Sequence, residues 1–283
     1  MTVHVALRCV SLESRRGGEM ARLLERHGLQ AIEAPALREV PLQDQREAFA
    51  FGDAMLRGEC DVLVLLTGVG ARALVDALCT RWPRASILTA LGHVRLACRG
   101  PKPVAVLKEL GLKPSLSAPE PNTWRELVQV LAGIDLSGKR VWVQEYGRSN
   151  PALLAALQER GADVRTAAVY AWRLPEDVEP LRRAIDALCD GNADAISFTS
   201  ARQIDHLLEV AQQMGRREAL MRVLAERVLI CSIGPVTSEA LVEHGLRADV
   251  EPQHPKMGHL VKTIAADGLR ALEQKREVAG RSG

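Results

Sequence analysis

Long apolar stretches are missing from this 283-residue sequence. Runs such as Val62 to Leu66 are far shorter than the roughly 20 residues a membrane-spanning helix needs. No cationic segment leads into an apolar stretch between Met1 and Met20, so no export signal is expected either. Charge of one sign is also lacking. The 37 Lys and Arg residues nearly balance 35 Asp and Glu and are scattered, so the basic footprint of a nucleic-acid binder is absent. There is no Cys-x-x-Cys, and the six cysteines (Cys9, Cys60, Cys79, Cys98, Cys189, Cys231) stand apart, mostly in or beside apolar runs. Buried free thiols are the expectation, not disulfides or metal ligands. His254 and His259 have no carboxylate or thiol at zinc-ligand spacing. Neither a Walker A segment nor Gly-x-Gly-x-x-Gly occurs, which leaves triphosphate and dinucleotide chemistry without support. These absences predict a cytoplasmic protein with no metal, and neither nucleic acid nor membrane as partner.

What the sequence does contain is a repeat. Gly100-Pro101-Lys102-Pro103 through Leu107 to Gly111-Leu112 has the skeleton of Gly234-Pro235-Val236-Thr237 through Leu241 to Gly245-Leu246, at a constant offset of 134. Leu66-Thr67-Gly68 matches Phe198-Thr199-Ser200 at an offset of 132, and Glu25-Arg26 matches Glu159-Arg160 at 134. The chain therefore reads as two copies of one unit.

Each copy alternates strand and helix. Strands are predicted at 3–8, 30–34, 61–66, 93–98 and 115–118 in the first copy, and at 140–144, 163–170, 193–198, 227–232 and 248–251 in the second. Near-continuous apolar strands separated by helices predict parallel sheets covered on both faces. The fold class is thus α/β, with two flavodoxin-like, doubly wound domains. Proline-rich connectors lie after the second strand of each copy, at Pro35 to Pro41 and Trp172 to Pro180. If these are the crossings, residues 1–38 and 175–270 form one domain, 39–172 form the other, and 271–283 remain as a polar tail.

Ligands of doubly wound sheets bind beyond the carboxyl ends of the strands, where helices begin. Four turns there have small, polar or proline residues suited to an anion: Thr67-Gly68-Val69-Gly70, Gly100-Pro101-Lys102, Thr199-Ser200-Ala201-Arg202 and Gly234-Pro235-Val236-Thr237-Ser238. Ordinary helix capping accounts for any single turn; recurrence in both copies favours a ligand. Only two tyrosines exist, Tyr146 and Tyr170, each near a strand end. A phenol can donate a proton, and packing is the rival role for Tyr170.

The Ser197-Phe198-Thr199-Ser200 strand end, the Ser232-Ile233-Gly234-Pro235 turn, the Val169-Tyr170 pair and Pro255-Lys256-Met257-Gly258-His259-Leu260-Val261 resemble, in order and spacing, the uroporphyrinogen-III synthases. The resemblance extends to about Ala266. It implies two flavodoxin-like domains joined by a two-stranded connector, and a cofactor-free lyase. That lyase closes hydroxymethylbilane with inversion of ring D, through an azafulvene and a spiro intermediate, to uroporphyrinogen III. The substrate carries eight carboxylates, which suits turns rich in amide donors. Carried over by position, Tyr170 is the catalytic residue that protonates the departing hydroxyl. The four turns bind carboxylates, with Tyr146 and Arg8 beside them. Arg8 falls where the family has an arginine at its first strand end, although Cys9 replaces the usual proline and Thr67-Gly68 the commoner Thr-Ser. A monomer is expected. The alternative is a non-catalytic domain of the same fold that senses a tetrapyrrole or another polyanion.

Overall fold

The computed structural model describes residues 6–42, 44–145, 147 and 149–281. In chain order the elements are β1 (Arg8–Ser11), α1 (Gly17–Arg26), β2 (Gln30–Glu33), β3 (Arg38–Pro41), α2 (Arg46–Leu56), β4 (Val62–Leu65), α3 (Gly68–Cys79), α4 (Arg84–His93), β5 (Arg95–Cys98), α5 (Pro101–Glu109), β6 (Leu116–Ser117) and α6 (Trp124–Leu131). They continue with β7 (Arg140–Gln144), α7 (Pro151–Gln158), β8 (Asp163–Ala167), β9 (Tyr170–Arg173), α8 (Glu179–Cys189), β10 (Ala195–Phe198), α9 (Arg202–Gln213), α10 (Arg217–Glu226), β11 (Leu229–Ser232), α11 (Pro235–Glu243) and α12 (Met257–Arg281).

The chain divides into two compact units, Met1–Arg38 with Arg173–Gly283, and Glu39–Trp172. In the first unit the strands run β11-β10-β1-β2, all parallel, and Val250 extends the sheet through a parallel bridge to Cys231. In the second they run β6-β5-β4-β7-β8, again parallel. Both sheets have the same doubly wound order. In each, the two strands that open one copy of the repeat join later strands of the other copy, through the β1–β10 pairing in the first unit and the β4–β7 pairing in the second. β3 and β9 form a two-stranded sheet of their own.

Alternation explains why these strands are apolar throughout. Leu63 and Leu65 of β4 face a cluster with Phe51, Leu74, Leu78 and Trp142, while Val62 and Val64 face Leu127, Leu131 and Leu153. In the first unit Ile196 and Phe198 pack on α8 and α9, and Ala195 and Cys231 on α1 and α12. Each fully buried aliphatic side chain contributes roughly 1.5–3 kcal/mol, so both faces must stay covered. The thiols of Cys9, Cys60, Cys98 and Cys231 are buried, and burial pushes the first three up to about 12, which removes thiolate chemistry near neutral pH.

Two expectations shift. The first strand begins at Arg8, not Val3; residues 1–5 lie outside the described ones. Residues 271–281 are no separate tail but the second half of α12, with Leu272 buried and Lys275 donating to the Val228 carbonyl at 2.9 Å and to Asp249 at 2.6 Å. No described helix is long and apolar enough to cross a membrane.

Candidate functional site

In the second unit, the β4–α3 turn is fixed by its own cap. Thr67 is extended at the N-cap, and its hydroxyl accepts the Gly70 N–H at 3.0 Å. The two glycines are there because other chain segments come close. A Cβ on Gly68 would lie 2.8 Å from the Lys102 carbonyl, and one on Gly70 only 2.0 Å from the side-chain amide of Gln144. Gln144 is fully buried at the end of β7, where its Oε1 accepts the Thr67 N–H at 3.4 Å and its Nε2 donates to the Glu145 carbonyl. Tyr170 completes the group. Its ring is buried, packs edge-on against Trp172 at 5.6 Å, and puts its hydroxyl 3.3 Å from Thr67 Oγ1.

The β5–α5 turn lies alongside, through the Gly68–Lys102 approach. Gly100 leaves room for Asn122, whose Oδ1 would be 2.7 Å from an added Cβ, and in the first unit Gly234 leaves room for Pro255 at 2.9 Å. The repeated Gly-Pro therefore has a packing cause in both units. Pro101 and Pro103 also remove two amides from the first turn of α5.

In the first unit, Gln203 plays the part of Gln144 from a different position. It is buried in the first turn of α9, its Oε1 accepts the amides of Thr199 at 2.7 Å and Ser200 at 3.1 Å, and its Nε2 donates to the Leu12 carbonyl at 2.8 Å. The Thr199 hydroxyl donates to Glu13 Oε2 at 2.5 Å. At the neighbouring turn the amides of Thr237 and Ser238 fold back on the Gly234 carbonyl at 3.0 Å each, and the Ser238 hydroxyl donates to Glu251 and lies 2.8 Å from Ser232 Oγ. Several donors expected to be open are thus already engaged. Among the described residues, the amides that keep no hydrogen-bond partner at these four turns are those of Gly68, Val69, Gly100, Lys102, Ala201, Arg202 and Val236. Such amides at helix starts carry partial positive charge and can accept an anion.

Arg8 requires a correction. Because β1 starts at Arg8, the residue lies at the amino end of the sheet, opposite the strand-end turns of its own unit. Its Nε donates to Asp194 at 2.8 Å and its Nη2 to the Gly191 carbonyl at 2.8 Å. Arg140, at the start of β7, does the same to Asp61 at 2.9 Å and the Gly58 carbonyl at 3.0 Å. The pair of latches is a duplicated structural device. The Arg140 hydrogen bond holds the Asp61 carboxyl below its ordinary value; at Asp194 burial works the other way, and the Arg8 side-chain and backbone hydrogen bonds outweigh it. Tyr146 lies outside the described residues.

Two hollows of about 520 and 920 Å³ open against the end of α12, lined by residues such as Arg227, Ala279 and Gly280. The smaller adjoins residues that precede the strands (Ala193, Val228), and none of the four turns borders either. The strand-end turns, with their unpartnered amides and a buried phenol, remain the better candidate.

A model of the family "Uroporphyrinogen-III synthase HemD" matches residues 18–262. The chain belongs to the uroporphyrinogen-III synthase family. A Bacillus subtilis (strain 168) relative, "Uncharacterized protein YjjA", is 32% identical over 257 residues, covering 89% of this chain and 92% of that protein. A crystal structure of mutant uroporphyrinogen III synthase from the extremely thermophilic bacterium Thermus thermophilus superposes with a TM-score of 0.69 at 28% identity, over 95% of this chain and all of that one. The Helicobacter pylori 26695 uroporphyrinogen-III synthetase shares the fold at 16% identity, with a TM-score of 0.51 over 93% of this chain and 100% of that one.

Within this family member, sequence reasoning singled out the turns and Tyr170 but missed Gln144, Gln203, Glu13 and Glu145. The glutamines left no repeat signal, since one ends a strand and the other begins a helix. The two latches did leave one: Arg8 and Arg140 are 132 positions apart and Asp61 and Asp194 are 133 apart, close to the offsets of the repeat.

Proposed function

We propose that this family member is itself a uroporphyrinogen-III synthase, a lyase that closes hydroxymethylbilane with inversion of ring D. The observation that carries the reading is the recurrence, in both units, of unpartnered helix-start amides at strand carboxyl ends. Carboxylates of such a substrate can be held through direct amide hydrogen bonds at Gly68, Val69, Gly100 and Lys102 of the second unit, and the first unit by itself offers the same kind of donor at Ala201, Arg202 and Val236. Residues 1–38 with 175–270, and 39–172, would be the two functional domains.

Catalysis on this view comes mainly from holding one folded conformer of a flexible chain. Restricting rotation and fixing the attacking carbon supplies the entropic part of the barrier. Tyr170 is proposed to hydrogen-bond the departing hydroxyl, in exchange for its contact with Thr67. No cofactor enters the scheme.

The test supplies freshly made hydroxymethylbilane and separates the oxidised products by chromatography. Excess type III isomer over the spontaneous type I product is expected; type I alone refutes the enzyme. The second reading, a non-catalytic tetrapyrrole-sensing domain, draws on Glu13 and Glu251, whose carboxylates hold hydroxyls that a ligand carboxylate would otherwise engage. Such a protein would bind uroporphyrin yet leave the isomer ratio unchanged.

A further inference from the structure

The β10–α9 turn of the first unit already holds oxygens of the kind a ligand carboxylate would bring. A bound carboxylate takes hydrogen bonds from loop and helix-start amides and from hydroxyls. Here Gln203 Oε1 accepts the amides of Thr199 at 2.7 Å and Ser200 at 3.1 Å, and Glu13 Oε2 accepts the Thr199 hydroxyl at 2.5 Å. The other oxygen of Glu13 accepts the amides of Arg15 at 3.1 Å and Arg16 at 3.2 Å, in the loop between β1 and α1. Because β1 and β10 are paired neighbours, the loops at their carboxyl ends lie side by side. One carboxylate, supplied by the chain itself, joins the two loops through three donors.

The fold does not require a carboxylate at this place. At the matching turn of the second unit the Thr67 hydroxyl accepts the Gly70 N–H at 3.0 Å and lies 3.3 Å from the Tyr170 hydroxyl, so the turn there is closed by neutral groups. The two acceptors of the first unit also differ in how firmly they are set. Gln203 is buried and anchored by its donation to the Leu12 carbonyl at 2.8 Å. Glu13 is half-buried, which leaves its carboxylate open to a competing anion.

We propose, resting on the carboxylate-holding role given above to the strand-end turns, that Glu13 is a built-in occupant of a carboxylate seat in the first unit. The seat is formed by the Thr199 hydroxyl and the Arg15 and Arg16 amides. A ligand carboxylate enters it by displacing the Glu13 side chain. Glu13 is then a specificity determinant, since its negative charge lowers the affinity of this turn for anions. The Gly68 and Val69 amides of the second unit have no such occupant.

In the experiment, full-length wild type, Glu13→Gln, Glu13→Asp and Glu13→Gln/Thr199→Val are titrated with uroporphyrin, followed by quenching of its fluorescence. Glu13→Gln keeps the shape and an acceptor but not the charge, and should bind about tenfold more tightly than wild type. Glu13→Asp, which keeps the charge, should stay within about threefold of wild type, and Thr199→Val should remove the gain of Glu13→Gln. Glu13→Gln that binds no more tightly than wild type overturns the proposal, as does a gain that survives Thr199→Val. A second measurement reads the seat without a tetrapyrrole. Glu13→Ala should have a lower urea midpoint than wild type, and about 100 mM acetate should raise it more than chloride at the same ionic strength does. Equal responses of Glu13→Ala to the two salts overturn the seat. If acetate rescues Glu13→Ala but none of the four proteins binds uroporphyrin, the seat stands and the tetrapyrrole reading falls, a distinct outcome.

Discussion

Replacing Gly70 by alanine should destabilise the protein, against the usual rule for a glycine inside a helix. In an ordinary helix interior, alanine gains about 0.5–1 kcal/mol over glycine by reducing backbone freedom. Gly70 lies in α3, but its added Cβ would fall 2.0, 2.3 and 2.5 Å from the Nε2, Cδ and Oε1 atoms of Gln144. The fully buried amide must move, giving up its bond from Thr67 and its donation to Glu145. Leaving that group unsatisfied costs about 1–3 kcal/mol, and forcing a methyl into a packed site about the same again. Net of the helical gain, the loss is about 1–5 kcal/mol. Gly92 is an internal control: it lies in α4, is exposed, and an added Cβ meets nothing within 4 Å. Urea titrations should move the midpoint down for Gly70→Ala and slightly up for Gly92→Ala. The double variant Gly70→Ala/Gln144→Ala should be less damaged than the two single changes added together, since truncating the amide removes the clash. Equal, small shifts for Gly70→Ala and Gly92→Ala would show that Gln144 does not press on the turn.

Arg8→Ala should lower the urea midpoint while leaving KM within about twofold, because the residue latches the amino edge; a KM several-fold higher would return it to the binding site. Asp194 and Asp61 have depressed carboxyls in the folded protein, so their stabilisation is present above the ordinary value near 3.9 and is lost as pH falls through the lower folded value; Arg8→Ala should weaken this acid dependence in titrations between about pH 5 and 2. His206 is buried, with Nδ1 2.7 Å from the Ala36 carbonyl, and burial holds its pKa below the ordinary 6.5. The unfolded chain therefore binds the proton first, and stability should fall as pH drops from about 7 towards the folded value, a slope that His206→Gln should abolish. For Tyr170→Phe, kcat should fall about tenfold, and an unchanged rate would leave the ring only a packing role.

Most of the architecture could be read from the sequence because the forces behind it are local or periodic. The run Val62-Leu63-Val64-Leu65 needs cover on both faces, so a parallel sheet between helices follows from composition and alternation. The offset between Gly100-Pro101 and Gly234-Pro235 placed the four strand-end turns, since duplicated units put matching residues at matching edges. Where periodicity was weak, positions slid. Residues 3–8 and 8–11 are both apolar enough for a strand, and only the pairing of Cys9 with Ala31 and Ala195 chose the second, carrying Arg8 from one end of the sheet to the other.

What the sequence determined by itself was therefore the alternation, the duplication and the chemistry offered at the turns: hydroxyls, amides and a phenol. Which of those groups stay open was decided by the tertiary structure. Gln144 reaches Thr67 across 77 positions of sequence, Glu13 reaches Thr199 across 186, and Tyr170 meets Thr67 across 103. A hydrogen bond forms wherever folding brings donor and acceptor within about 3 Å, and neither partner carries a mark of the other in its local sequence.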